Sequence, residues 1–180
     1  MLFGKKEKPK SLVAILIDMQ EVFLRELSVE ERNKIIAGQV RIIEECADRD
    51  IPLVIVEYSF KGPTLLQLKR KIAWVRRQKT VVKFTNNPFD NAQFQQALQD
   101  FGANSLLKMG VHASYCVLSG AMSAHRRNFK ILTGDDLIAN CDCARCRPLK
   151  KSREWYKANG VYYDEPASMD KILEDAKAAT

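Results

Sequence analysis

The sequence predicts an α/β protein whose parallel sheet is covered by helices on both faces. Three observations carry this. Short apolar runs recur along the chain, the first being Leu12-Val13-Ala14-Ile15-Leu16-Ile17; a run without polar alternation suits a parallel strand buried on both faces. Stretches with apolar residues at helical spacing separate the runs, and strand alternating with helix argues for crossover connections in a parallel sheet. Finally, three of the runs lead to an aspartate, a lysine and a cysteine, and open sheets of this kind build their sites beyond the carboxyl ends of the strands.

Taken in order, the first run ends at Asp18. From Val29 to Ala47 the apolar positions Ile35, Ile36, Val40, Ile42, Ile43 and Cys46 fit an amphipathic helix that stops before Asp50-Ile51-Pro52. Leu53-Val54-Ile55-Val56 is a second strand, ending near Glu57-Tyr58. Lys61-Gly62-Pro63 breaks the chain, and Leu65 to Arg77 reads as a basic amphipathic helix with Leu65, Leu68, Ile72 and Val75 on one side. Thr80-Val81-Val82 is a third strand that delivers Lys83. Asn87-Pro88 turns the chain, and Phe94, Leu98 and Phe101 mark a helix closed by Gly102. Leu106 to Val111 is a fourth strand, handing over to a helix marked by Val117, Leu118, Ala121, Met122 and Ala124. A fifth strand spans Phe129 to Thr133, followed by a Cys-rich connection and a helix around Lys150 to Asn159. Gly160 to Tyr163 is a short sixth strand and Met169 to Ala179 a closing helix. No internal repeat or low-complexity linker interrupts this order.

The 180 residues, 46% of them hydrophobic, suit one domain with a sizeable core, placed at 11–180 behind a basic tail at 1–10. That tail is charged rather than a basic cap on an apolar run, so it does not read as a secretory signal. No apolar segment reaches the roughly 18 residues of a membrane-spanning helix. Five cysteines without a signal read as reduced thiols of a cytoplasmic protein. The formal charge of +7 is concentrated in the tail, Lys69 to Lys79 and Arg145 to Arg153. Aromatic residues do not interleave these runs as a stacking platform requires, so they read as solvated faces and argue against nucleic-acid binding.

Asp18, Lys83 and Cys116 all fall at the same sheet edge. Cys116 lies in the first turn of its helix, where the positive end of the helix dipole favours a thiolate, which makes it a candidate nucleophile if a base and a cation reach it. Each residue has a structural alternative: Cys116 as a small packing residue, Asp18 as a turn cap, Lys83 as a snorkelling surface lysine. Cys141-Asp142-Cys143-Ala144-Arg145-Cys146 leaves the same edge. Cys141, Cys143 and Cys146 could bind zinc with a fourth ligand such as Cys46, His125 or water, could sense redox state, or could be structural thiols; the usual paired Cys-x-x-Cys repeat is missing.

Ile15-Leu16-Ile17-Asp18-Met19-Gln20 with Phe23, Lys83 with Phe89, and Gly110-Val111 with Cys116-Val117 together resemble the three signature blocks of the isochorismatase-like cysteine hydrolases, in order, from about Leu12 to Tyr163. The resemblance implies a three-layer α/β/α sandwich on a six-stranded, mostly parallel, Rossmann-like sheet. It implies a catalytic triad of Asp18 as general base, Lys83 as cation and Cys116 as nucleophile, working through a thioester with no required cofactor. It also implies a cis Val111-His112 peptide, an oxyanion hole from the backbone N–H groups of His112 and Cys116, a small-molecule substrate and a homo-oligomer. Gln20, Phe23, Tyr58 and Tyr115 are candidate pocket residues, with Phe23 equally a core residue. Cys116 places the chain nearer the amide-hydrolysing branch than the isochorismate-cleaving one. The stretch Glu57 to Gly62 lacks the histidine of the nicotinamidase metal pattern, so neither that metal site nor nicotinamide is expected; His112 stands where the family's turn mostly carries small residues, and its ring could narrow the pocket.

Overall fold

A computed structural model describes residues 11–141 and 149–178. The basic tail at 1–10, Cys143 and Cys146 lie outside the described residues. The chain runs β1 (Ser11–Ile17), α1 (Glu21–Leu24), α2 (Val29–Asp48), β2 (Leu53–Tyr58), α3 (Leu66–Ile72), β3 (Gln78–Lys83), a 3-10 turn (Pro88–Asp90), α4 (Ala92–Asp100), β4 (Ala103–Val111), α5 (Cys116–His125), β5 (Lys130–Gly134), β6 (Ile138–Ala139), α6 (Leu149–Asn159), β7 (Val161–Tyr163) and α7 (Met169–Lys177).

The strands pair in parallel in the order β3-β2-β1-β4-β5-β7, the six expected, with the two-residue β6 added beside β4. Central strands are apolar because both faces are covered: Val13 to Ile17 and Leu53 to Val54 are fully buried. Helices α2 and α3 pack on each other, and α4 and α5 meet around the 3-10 turn. Ser28, Asn91 and Ser168 cap α2, α4 and α7 through their side-chain oxygens, satisfying N–H groups that a helix start leaves open.

The sheet forks at β4. Its first half pairs with β5 through Ser105, Leu106 and Leu107, whereas its end pairs with β6 through Gly110↔Ile138 and Val111↔Ala139. Gly110 permits the close packing of β4 on β1: its φ is +126°, and a Cβ there would sit 2.0 Å from the Ile17 carbonyl oxygen.

Three local expectations change. The third strand starts at Gln78 rather than Thr80, because Gln78 and Lys79 pair with Leu53 and Val54 at the sheet edge, where their polar side chains keep access to water. The helix expected to reach Arg77 ends at Ile72; the chain turns there, buries Val75, and feeds Arg77 into pairing with Leu53. The short α1 and the 3-10 turn carry too few residues for a periodic signal.

Candidate active site

Asp18, Lys83 and Cys116 converge. Asp18 leaves β1 in a left-handed conformation, φ +54°, that aspartate tolerates better than most residues, with its N–H bonded to the Val56 carbonyl at 2.9 Å. That turn carries its carboxylate to Lys83, the last residue of β3, where Nζ and Oδ2 are 2.8 Å apart and both side chains are about 1–2% exposed. The same ammonium donates to Cys116 Sγ at 3.2 Å and to the Thr85 carbonyl at 3.2 Å. Three partners match the three hydrogens of a charged lysine, which is how such a charge is kept inside a protein. Nζ also stands 4.2 Å from the centre of the Tyr58 ring, a cation–π contact. Cys116 opens α5 and faces Asn86 Oδ1 at 3.7 Å on its other side.

The electrostatics differ from the expectation of a thiolate favoured by its helix end. Burial foremost, then the negative charge of Asp18, push the Cys116 thiol up to about 12, with Lys83 pulling the other way. At rest the proton therefore sits on sulfur. Burial also lifts the Asp18 carboxyl above its ordinary value, against the pull of Lys83.

The turn between β4 and α5 is braced from outside. The Val111-His112 peptide is cis, as the resemblance implied. Ala113 N–H donates to the Ala139 carbonyl at 2.8 Å, and Asn140 Oδ1 accepts from the backbone N–H and the hydroxyl of Ser114 at 3.1 and 2.8 Å. Cys141 N–H donates to His112 Nδ1 at 3.2 Å, which fixes the ring with Nε2 toward Glu26 at 3.8 Å. Burial lowers the His112 pKa and favours its neutral form.

The candidate pocket residues divide by role. Phe23 is half-buried and packs edge-on against Tyr58 and His112, with centroids 6.1 Å from each. Tyr58 donates its hydroxyl to the Phe84 carbonyl at 3.0 Å. Gln20 is fully buried, and its side-chain amide bonds the backbone of Tyr58 and the Gly62 carbonyl. Tyr115 is the residue before α5, with φ −123° and ψ −98°. Sequence reasoning missed Thr85, Asn86, Ser114 and Asn140, which lie in loops without periodic or motif signal.

For the zinc expectation, only Cys141 falls among the described residues, and its sulfur is in a disulfide bond. This corrects the reading of five reduced thiols; Cys46 and Cys116 are free. Atoms of Glu26, His112 and Cys141 lie within 4.8 Å of one another, but a disulfide sulfur lacks the charge of a thiolate ligand.

A parallel α/β sheet with an acid, an ammonium and a thiol at one rim defines the class of protein. The chain belongs to the isochorismatase family: residues 13–147 match the isochorismatase domain, making it an isochorismatase-like hydrolase. No curated protein matches the sequence. Similar solved structures share its fold. The MAR1 ribonuclease of Caenorhabditis elegans is 17% identical, with a TM-score of 0.76 over 95% of this chain and 84% of that one. N-carbamoylsarcosine amidase of Thermoplasma acidophilum is 20% identical, with a TM-score of 0.70 over 88% of this chain and 99% of that one. The YcaC gene product of Escherichia coli, an octameric hydrolase of unknown specificity, is 18% identical, with a TM-score of 0.71 over 85% and 74%.

Proposed function

We propose that the protein is a cysteine hydrolase that cleaves an amide-like C–N bond of a small molecule through Cys116, Asp18 and Lys83. The observation that carries this reading is the single ammonium of Lys83 held 2.8 Å from the Asp18 carboxylate and 3.2 Å from the Cys116 sulfur, deep in the protein.

In this reading Asp18 takes the thiol proton as the sulfur attacks the carbonyl carbon. A thiol that is protonated at rest needs such a base at the moment of attack. The new S–C bond leaves a tetrahedral oxyanion, which the backbone N–H groups of His112 and Cys116 stabilise. The C–N bond then breaks, Asp18 returns its proton to the leaving nitrogen, and a thioester remains. Water, deprotonated by Asp18, attacks the thioester; the carboxylic acid leaves and the thiol is restored. Lys83 favours the ionised form of Asp18 against the effect of burial and offsets the charge that develops on sulfur.

Phe23 and Tyr58 favour a substrate with a small apolar or planar face. The reading requires no metal or other cofactor. We place the protein in the cytoplasm as a homo-oligomer of one domain per chain. Support for assembly comes from the exposed apolar side chains Phe60, Trp74 and Phe84, and from the octamer formed by the YcaC protein.

The test is an ammonia-release screen over small amides and ureides, run beside Cys116→Ala and with mass spectrometry of the quenched enzyme. Turnover lost in Cys116→Ala, with an acyl adduct on Cys116 in the wild type, is expected. Turnover that survives the substitution refutes the nucleophile.

A further inference from the structure

One buried ionisable group has no part in the reaction sketched above. Lys108 lies in β4 between the fully buried Leu107 and Met109, is itself 0% exposed, and its Nζ has no hydrogen-bond partner among the described residues. An ammonium so placed is costly, and lysine is almost never fully buried without a partner. A structural explanation based on packing alone would be met more cheaply by methionine or leucine.

Gly120 locates the head of this side chain. A Cβ on Gly120 would lie 2.5 Å from Lys108 Nζ and 2.8 Å from Pro88 Cγ, so the amine occupies the gap between α5 and the 3-10 turn, and the glycine leaves room for it. Gly120 follows Cys116 by four residues on α5, one turn along the same helix face, where Cβ positions are about 5–6 Å apart. The amine thus lies in the interior, about one helical turn along α5 from the nucleophile.

The groups acting on it are few. A thiolate at Cys116 on α5 favours its cation, and Lys83 on β3 opposes it. The paired residue of β1 is Ile15, and β5 presents Thr133, whose hydroxyl donates to the Lys108 carbonyl at 2.8 Å. The 3-10 turn presents Pro88; its Asp90 is exposed and bonded to Thr85 and Asn87.

We propose that Lys108 is a positioning residue of this site: its ammonium, sealed from water one helical turn behind Cys116, stabilises the Cys116 thiolate, so that thiol reactivity follows the protonation of Lys108. This rests on Cys116 being the nucleophile. Burial presses Lys108 down to about 7, with a Cys116 thiolate pulling it up and Lys83 pushing it further down. The cation is therefore present below neutrality and lost above it, which sets the pattern to be measured.

The experiment is the rate of iodoacetamide alkylation of Cys116, read by peptide mass between about pH 5.5 and 9, in wild type and in Lys108→Met. Below neutrality the wild type is expected to alkylate about tenfold faster than the variant, a ratio that corresponds to about 1.4 kcal/mol. Above about pH 8 the two rates should converge, because neutral lysine and methionine are then electrostatically alike. A merely structural role would change the ratio equally at every pH, and a ratio that is flat across the range overturns the proposal while leaving Cys116 as nucleophile. Turnover that survives in Cys116→Ala overturns the proposal and the function together. Carbon-13 titration of labelled lysine gives a second reading: a resonance missing in Lys108→Met and titrating near neutrality supports the proposal, and one titrating near the ordinary lysine value overturns it.

Discussion

Lys83→Met isolates the energetics of the ion pair at the sheet rim. Lys83 and Asp18 are about 1–2% exposed and 2.8 Å apart, so the substitution leaves a buried carboxylate without its cation. Removing one partner of a buried pair typically costs about 3–5 kcal/mol. The full cost appears only while Asp18 stays ionised. Its carboxyl already lies above the ordinary aspartate value because of burial, with Lys83 as the largest opposing influence, so loss of Lys83 raises it further. A carboxyl whose pKa is raised by folding holds its stabilising contribution below its unfolded value and loses it as pH rises through the folded value. The variant should therefore be about 3–5 kcal/mol less stable than wild type near pH 8, and the difference should shrink as the pH falls toward the ordinary aspartate value of about 4. Urea unfolding of both proteins at each pH gives this difference, in which the other carboxylates cancel. Adding Asp18→Asn to the variant should flatten the pH dependence. A difference constant across pH, or a slope that survives Asp18→Asn, refutes the reasoning.

Other substitutions probe the frame around the site. Gly110→Ala combines a φ of +126° with a Cβ 2.0 Å from the Ile17 carbonyl oxygen, so a loss above about 4 kcal/mol is expected and an unchanged melting temperature would contradict it. Asn140→Ala removes the acceptor of two bonds from buried Ser114 and should cost about 1–3 kcal/mol, with slower alkylation of Cys116 in a protein that still melts cooperatively. Gly120→Ala places a methyl against Lys108 and Pro88 and should destabilise by about 1–3 kcal/mol despite alanine's better helix propensity; in a Lys108→Ala background calorimetry should show a smaller penalty. Cys46 is fully buried with its thiol pushed up to about 12, so it should label only after denaturation, and native labelling at that position would contradict its placement.

The sequence spoke clearly where one constraint dominated. Leu12 to Ile17 and Leu53 to Val56 must be interior strands because nothing polar interrupts them, and their ends fix where Asp18 and the Tyr58 wall emerge. Lys83 and Cys116 were legible for the same reason: each stands at the end of a strand or the start of a helix whose identity is set by its apolar residues. The protonation of Cys116 was not legible, since it depends on how much water the finished fold excludes, and burial outweighs the helix end. Nor were Asn86 and Asn140, whose positions depend on loop paths rather than periodicity. β6 is two residues long and becomes a strand only because the end of β4 offers it partners.

That fork has a consequence for building hybrids of this protein with its relatives. The turn carrying the sulfur hangs between β4 on one side and Ile138 to Cys141 on the other, through backbone and side-chain bonds that cross the intervening helix and strand. Grafting the cysteine segment alone would leave it with a foreign brace, and grafting the brace alone would leave it gripping a foreign turn. The smallest interchangeable unit is the whole stretch from the start of β4 through Cys141, moved as one piece.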